Sequence, residues 1–171
     1  MRYRNGRVFE GDWDDDVRHG RGFERYVNGN VYQGEYKYGK AHGKGIYKWA
    51  QGGEVYDGEW ERGMRCGFGV WRKPGGDHYI GQWKDNKADG HGVHTWSNGD
   101  RYEGEWKLCL KHGKGSEEFA NGEIYVGDYK NGHPEGQGKY SWPNGNTYEG
   151  GFKNGLKEGK GVWKKPVKKV F

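Results

Sequence analysis

Apolar and polar residues alternate with period two over short stretches of this chain. Tyr102, Gly104 and Trp106 fall on one side of an extended backbone, and Arg101, Glu103 and Glu105 on the other. The alternation returns seven times. Its first ring recurs at Phe9, Tyr32, Tyr56, Tyr79, Tyr102, Tyr125 and Tyr148. A glycine follows two residues on, at Gly11, Gly34, Gly58, Gly81, Gly104, Gly127 and Gly150. A second ring follows two further, at Trp13, Tyr36, Trp60, Trp83, Trp106, Tyr129 and Phe152. Gly-x-Gly then comes at fixed distance, from Gly20-Arg21-Gly22 to Gly159-Lys160-Gly161. The period is 23 residues, interrupted by one extra residue near Gln51-Gly52-Gly53. The copies run 5–27, 28–50, 51–74, 75–97, 98–120, 121–143 and 144–166, after a lead-in at 1–4 and before a basic tail at 167–171.

Each copy reads as a β-hairpin. The second strand alternates as the first does, with Gly43, Gly45, Tyr47 and Trp49 on one side. Asn-Gly joins most copies (Asn28-Gly29, Asn98-Gly99, Asn121-Gly122) and predicts tight type I′ turns there. The loop inside each copy has constant length. Its third residue, Gly39, Gly63, Gly132 or Gly155, with Asp16, Asn86 or Cys109 elsewhere, predicts a left-handed backbone. A glycine between two rings leaves a notch in which a ring from the neighbouring strand can lie flat. Acids of the first strand (Glu35, Glu59, Glu103, Glu105) are expected opposite bases of the second (Lys44, Lys48, Arg72, Lys114). The second strand of the fifth copy, Ser116-Glu117-Glu118, is poor in β-formers and predicts a locally weak repeat.

Composition sharpens this picture. The 171 residues include 35 Gly, nine Trp, thirteen Tyr and six Phe, with a net charge of +5. So many rings argue against disorder, despite the glycine. A thin sheet cored by rings is expected instead of a deep aliphatic core. The sequence shows no apolar run of membrane length and no signal-like start, and its two cysteines suit a reducing compartment.

No residue set points to catalysis, a metal or a cofactor. His19, His42 and His112 share one repeat position with Cys66, Asp89, Glu135 and Glu158, as a turn-edge slot would. His91 and His94 are three apart in a strand and face opposite ways. Cys66 and Cys109 lack C-x-x-C spacing. Gly-x-Gly precedes no helix and is not a phosphate loop.

The Tyr-x-Gly-x-Trp and Gly-x-Gly motifs resemble those of the MORN (membrane occupation and recognition nexus) repeat family over nearly the whole chain. The resemblance implies an all-β fold: an elongated, twisted antiparallel sheet of seven tandem hairpins with about 14 strands, spanning about 65–70 Å at about 4.8 Å per strand. It also implies a non-catalytic protein-interaction scaffold, a structural subunit of a cytoskeletal assembly such as a ciliary axoneme or radial spoke. Such a protein would be cytoplasmic and cytoskeletal, in a cilium or flagellum. Partner helices or extended peptides would dock in an aromatic groove at Tyr56, Trp60, Tyr79, Trp83, Tyr102 and Trp106. The apolar loop Leu108-Cys109-Leu110 is a further contact candidate. The sheet ends, with no obvious cap, suit self-association. The alternative is a membrane-associated module holding anionic phospholipid on Lys164, Lys165, Lys168 and Lys169. Acids interleaved along the strands argue against nucleic acid.

Overall fold

A computed structural model describes residues 1–166. Lys168 and Lys169 therefore lie outside the described residues. The chain divides into two units, Met1–Lys87 and Ala88–Phe171.

The first unit contains β1 (Val8–Asp14), β2 (Val17–Arg25), β3 (Val31–Lys37), β4 (Lys40–Lys48), β5 (Val55–Glu61), β6 (Met64–Arg72) and β7 (His78–Lys84). Each strand pairs antiparallel with the next. The second unit holds β8 (Lys87–Thr95, beginning one residue before the boundary), β9 (Arg101–Lys107), β10 (Leu110–Glu118), β11 (Ile124–Lys130), β12 (His133–Ser141), β13 (Thr147–Lys153) and β14 (Leu156–Lys164). These also pair antiparallel in order. The predicted fold class holds: all-β, fourteen antiparallel strands, seven hairpin repeats. β10 runs its full nine residues, so the β-poor Ser116-Glu117-Glu118 stretch does not shorten the fifth repeat.

The two kinds of turn exchange the roles expected of them. The two-residue loop inside each repeat has positive φ at both positions, as at Tyr38 (50°) and Gly39 (76°), or Leu108 (51°) and Cys109 (68°). That is the type I′ pattern, whose twist matches the strands it joins. At the Asn-Gly junctions only the glycine has positive φ, and its N–H bonds back three residues, as from Gly99 to the Trp96 carbonyl at 2.9 Å. These junctions are type I turns closed by a left-handed glycine.

The acids of the first strand also do something other than pair with bases. Hairpins in both units bulge at the first glycine of Gly-x-Gly; opposite Glu105 and Gly104 the register jumps from His112 to Gly115. The carboxylate of Glu105 accepts the freed Lys114 N–H at 3.0 Å, and Glu35, Glu59 and Asp128 do the same for Lys44, Phe68 and Gln137. An acid at this position caps a β-bulge.

Residues 1–4, expected as a lead-in, fold onto the edge of β1. Arg2 bridges Val8, and the Met1 carbonyl accepts the Phe9 N–H at 2.9 Å. Tyr3 to Arg7 then make the same turn as Trp96 to Asp100.

Candidate functional site: a two-layered aromatic face

The floor of the aromatic face is set by glycine. Gly34 and Gly45 pair across β3 and β4, and the Tyr32 ring lies over both, where an added Cβ at Gly45 would be 2.6 Å from the ring. The ring filling the notch thus comes from the same strand, not from the neighbouring strand. Its hydroxyl donates to the Glu35 carbonyl at 2.9 Å. Tyr56, Tyr79, Tyr102 and Tyr125 repeat this bond three residues on. The second ring of each motif stands edge-on to the first. It also stands edge-on to the first ring of the repeat before: in the first unit Tyr32–Trp60 at 5.2 Å and Tyr56–Trp83 at 5.1 Å, in the second Tyr102–Tyr129 at 5.0 Å and Tyr125–Phe152 at 4.9 Å between centroids. Each such pair contributes about 0.5–1.5 kcal/mol beyond area burial. The indole N–H groups of Trp60, Trp83 and Trp106 donate to the carbonyls of Gly45, Gly69 and Gly92.

This floor contains all six groove candidates. Tyr56 and Trp60, Tyr79 and Trp83 lie in the first unit, Tyr102 and Trp106 in the second, and their exposures run only from 0% to 8%. They are the core. What a visitor meets is a second layer from the even-numbered strands. Tyr47, Trp49 and Trp71 supply it in the first unit; His94, Trp96, Phe119, Tyr140 and Trp142 supply it in the second, all half-buried. Trp163 is 61% exposed. Within this layer His94 stacks on Trp96 at 4.2 Å, and Trp142 on Trp163 at 5.2 Å.

Cations lie on the rings in every other repeat. Position two of the even-numbered strands is Arg18, Arg65, Lys111 and Lys157 in odd repeats, but Ala41, Ala88 and Pro134 in even ones. Arg65 lies 4.7 Å from the Trp83 centroid, and Lys157 4.7 Å from Trp142. Over Ala41, where no such side chain stands, is a hollow of about 190 Å³ lined by Tyr26, Tyr47, Trp60, Arg18 and Glu24.

In repeats one and five a carboxylate replaces the second-layer ring. Glu24 is 1% exposed and Glu117 6%. Glu24 pairs with Arg18 at 2.6 Å and with Arg7, and accepts the Tyr36 hydroxyl at 3.0 Å. Glu117 pairs with Lys111 and accepts the Tyr129 hydroxyl at 2.8 Å. Burial first, and then the adjacent carboxylate, raises both phenols well above the ordinary tyrosine range. Tyr36 and Tyr129 stand where the third, fourth and fifth repeats carry Trp60, Trp83 and Trp106. The phenol there donates to the buried acid, whereas the indole N–H at the same position is turned to a glycine carbonyl. The doubled period of the cations and the paired Glu/Tyr changes are visible in the sequence, yet single-repeat reading passes over them.

The remaining candidates are dispersed. In the Leu108-Cys109-Leu110 loop, Leu108 is 57% and Leu110 47% exposed, and the free Cys109 accepts the Ala88 N–H on sulfur at 3.3 Å. Lys164 ends β14, and with Lys160, Glu149 and Val162 lines a shallow hollow on the face opposite the rings. Lys165 is exposed just beyond. Among the described residues no helix is long and apolar enough to cross a membrane.

The MORN repeat family model matches residues 9–31, 32–54, 56–78, 79–101, 102–124, 125–147 and 148–167. A comparison with curated proteins gave no match. Among solved structures, the chain is similar to the SAS-4 TCP domain of Drosophila melanogaster in complex with a proline-rich motif of Ana2. Identity is 15%, coverage 89% of this chain and 82% of that one, and the TM-score 0.53. The TCP10c domain of Drosophila melanogaster Sas-4 aligns over 85% of this chain and 86% of that one, at 14% identity and a TM-score of 0.47. At these identities the first likeness speaks for the fold.

Proposed function

The chain belongs to the MORN repeat family, and on that premise we propose that it is a non-catalytic protein-interaction scaffold whose aromatic face docks extended segments of partner proteins. The second layer of half-buried rings carries this reading. The floor alone suffices as a core, because its own rings close over each other and over the glycine pairs. Trp49, Trp96 and Trp142 are rings beyond that need, each with a cation over its face. Rigid rings bordered by charge suit interface anchors, since they offer large contact area with little conformational freedom to lose. The similar TCP domain was solved with a proline-rich motif bound, and an extended proline-rich segment fits a shallow aromatic trough by the same physics. The setting we propose is a cytoskeletal assembly, with a ciliary axoneme or radial spoke as the specific case.

The test is site-directed photo-crosslinking in native cell extract, with the crosslinker at Trp49 or Trp142 and, as control, at Ile80 on the opposite face. Adducts to segments of cytoskeletal proteins from the first two positions, and none from the third, are expected. Adducts only to lipid would overturn the scaffold reading in favour of the membrane alternative.

A further inference from the structure

We propose that Lys157 is the anion anchor of the aromatic face in the second unit, taking the carboxylate of an aspartate or glutamate in an extended partner peptide. This rests on the reading of that face as a peptide dock and adds the chemistry it selects.

Lys157 and Lys111 occupy the same repeat position. The Lys111 ammonium is 5.0 Å from the centroid of Trp96, 5.4 Å from Tyr102 and 5.6 Å from Tyr129, and it also pairs with Glu117. Lys157 is boxed more completely, by Trp142 at 4.7 Å, Trp163 at 5.2 Å, Tyr140 at 5.3 Å and Tyr148 at 5.6 Å. Where the fifth repeat has Glu117, the seventh has Trp163. Among the described residues no carboxylate forms an ion pair with Lys157. Glu158 turns to Lys153 at 3.7 Å, and Glu123, close enough to feel the Lys157 charge but not ion-paired with it, accepts the Tyr140 hydroxyl at 2.5 Å.

Ring faces attract an ammonium through their quadrupole but accept no strong hydrogen bond, while the ammonium has three N–H donors. The box therefore fixes the charge and leaves its donors to water. A carboxylate arriving there gains a charge-assisted bond to a group already held in place. Lys157 is exposed and reachable, whereas Lys111 is half-buried under its own acid. The stacked Trp142 and Trp163 beside it offer a flat apolar surface to the residues flanking the acid. A phosphoinositide headgroup needs several cations at one place. Lys160 and Lys164, the other lysines of β14, line the opposite face instead. A single ammonium matches a single carboxylate.

A twelve-residue random peptide display library, selected against the whole chain, tests this. Enriched peptides should carry Asp or Glu beside apolar residues. By calorimetry Lys157→Gln should weaken their binding at least tenfold, Asp/Glu→Asn/Gln in the peptide should do the same, and the two changes together should cost no more than either. Lys157→Arg should retain binding. Lys153→Gln, which changes net charge equally on the same edge, should leave it unaltered. Enriched peptides that lack an acid, or that bind Lys157→Gln like the parent, overturn the anchor and leave the peptide dock standing. Failure to enrich any peptide on the parent chain overturns both. Sedimentation with phosphatidylserine vesicles that depends on Lys157, without peptide binding, makes the anion a lipid headgroup and also overturns the proposal.

Discussion

The fifth and seventh repeats place a lysine over the same kind of aromatic floor and treat its charge in opposite ways. Lys111 is closed off by a buried carboxylate that also accepts a tyrosine hydroxyl. Lys157 is held by four rings, with no ion-paired carboxylate among the described residues. One residue type differs at the decisive position, Glu117 against Trp163. The lesson is that this repeat separates strength from recognition. Floor positions are nearly uniform, and variation is confined to a layer where a ring, an acid or a small residue can be exchanged without disturbing the strands.

The comparison breaks first if its common floor fails. Gly115 lies under the Tyr102 ring, where an added methyl would be 2.6 Å from Tyr102 Cζ. Gly115→Ala is expected to cost about 3 kcal/mol by overpacking, the largest effect here, read by urea denaturation. Glu117→Gln comes next. It leaves the half-buried Lys111 charge without its partner and should lose about 2 kcal/mol. Lys157→Gln is the counterpart, and should lose less than about 1 kcal/mol because an exposed ammonium is resolvated by water. Equal losses in the last two would dissolve the distinction between a closed and an open cation site.

The smallest effect appears at high pH and concerns the floor between the two sites. The Tyr125 phenol is pushed up from its ordinary 10.0 to about 12, by burial first and then by Asp128. A folded value above the unfolded one means its stabilising contribution is complete below pH 10 and is lost as pH rises from there through about 12. Absorbance at 295 nm should therefore show the Tyr125 phenol ionising late, as pH rises towards about 12. A single uniform phenol transition near pH 10 would contradict the packed floor.

Much of this was legible in the chain. Strict alternation around Tyr102, Gly104 and Trp106, repeated at constant spacing, leaves strands as the only economical reading, since glycine at this density opposes helices. The left-handed loop position followed from its being filled by Gly, Asp or Asn. Less legible was which turn was which: the type I′ backbone occurs at Tyr38-Gly39 and Leu108-Cys109, residues that do not advertise it. The groove candidates were chosen from the most regular rings, and regularity marked the floor. Positions that vary among repeats, from Tyr47 to Glu117 to Trp163, form the layer above that floor, whether buried as at Glu117 or exposed as at Trp163.

The sequence alone determined the repeat, the strands and the burial of one ring row, because period-two alternation and glycine spacing are local properties of an extended backbone. Tertiary structure decided everything that depends on one strand meeting another. The bulge turned Glu35 and Glu105 from charge partners into caps. The pairing of β10 with β11 brought Tyr129 onto Glu117. The packing of β12, β13 and β14 drew four rings around Lys157. These contacts join residues up to 17 positions apart, as between Tyr140 and Lys157, a distance over which residue type alone does not specify which side chains touch.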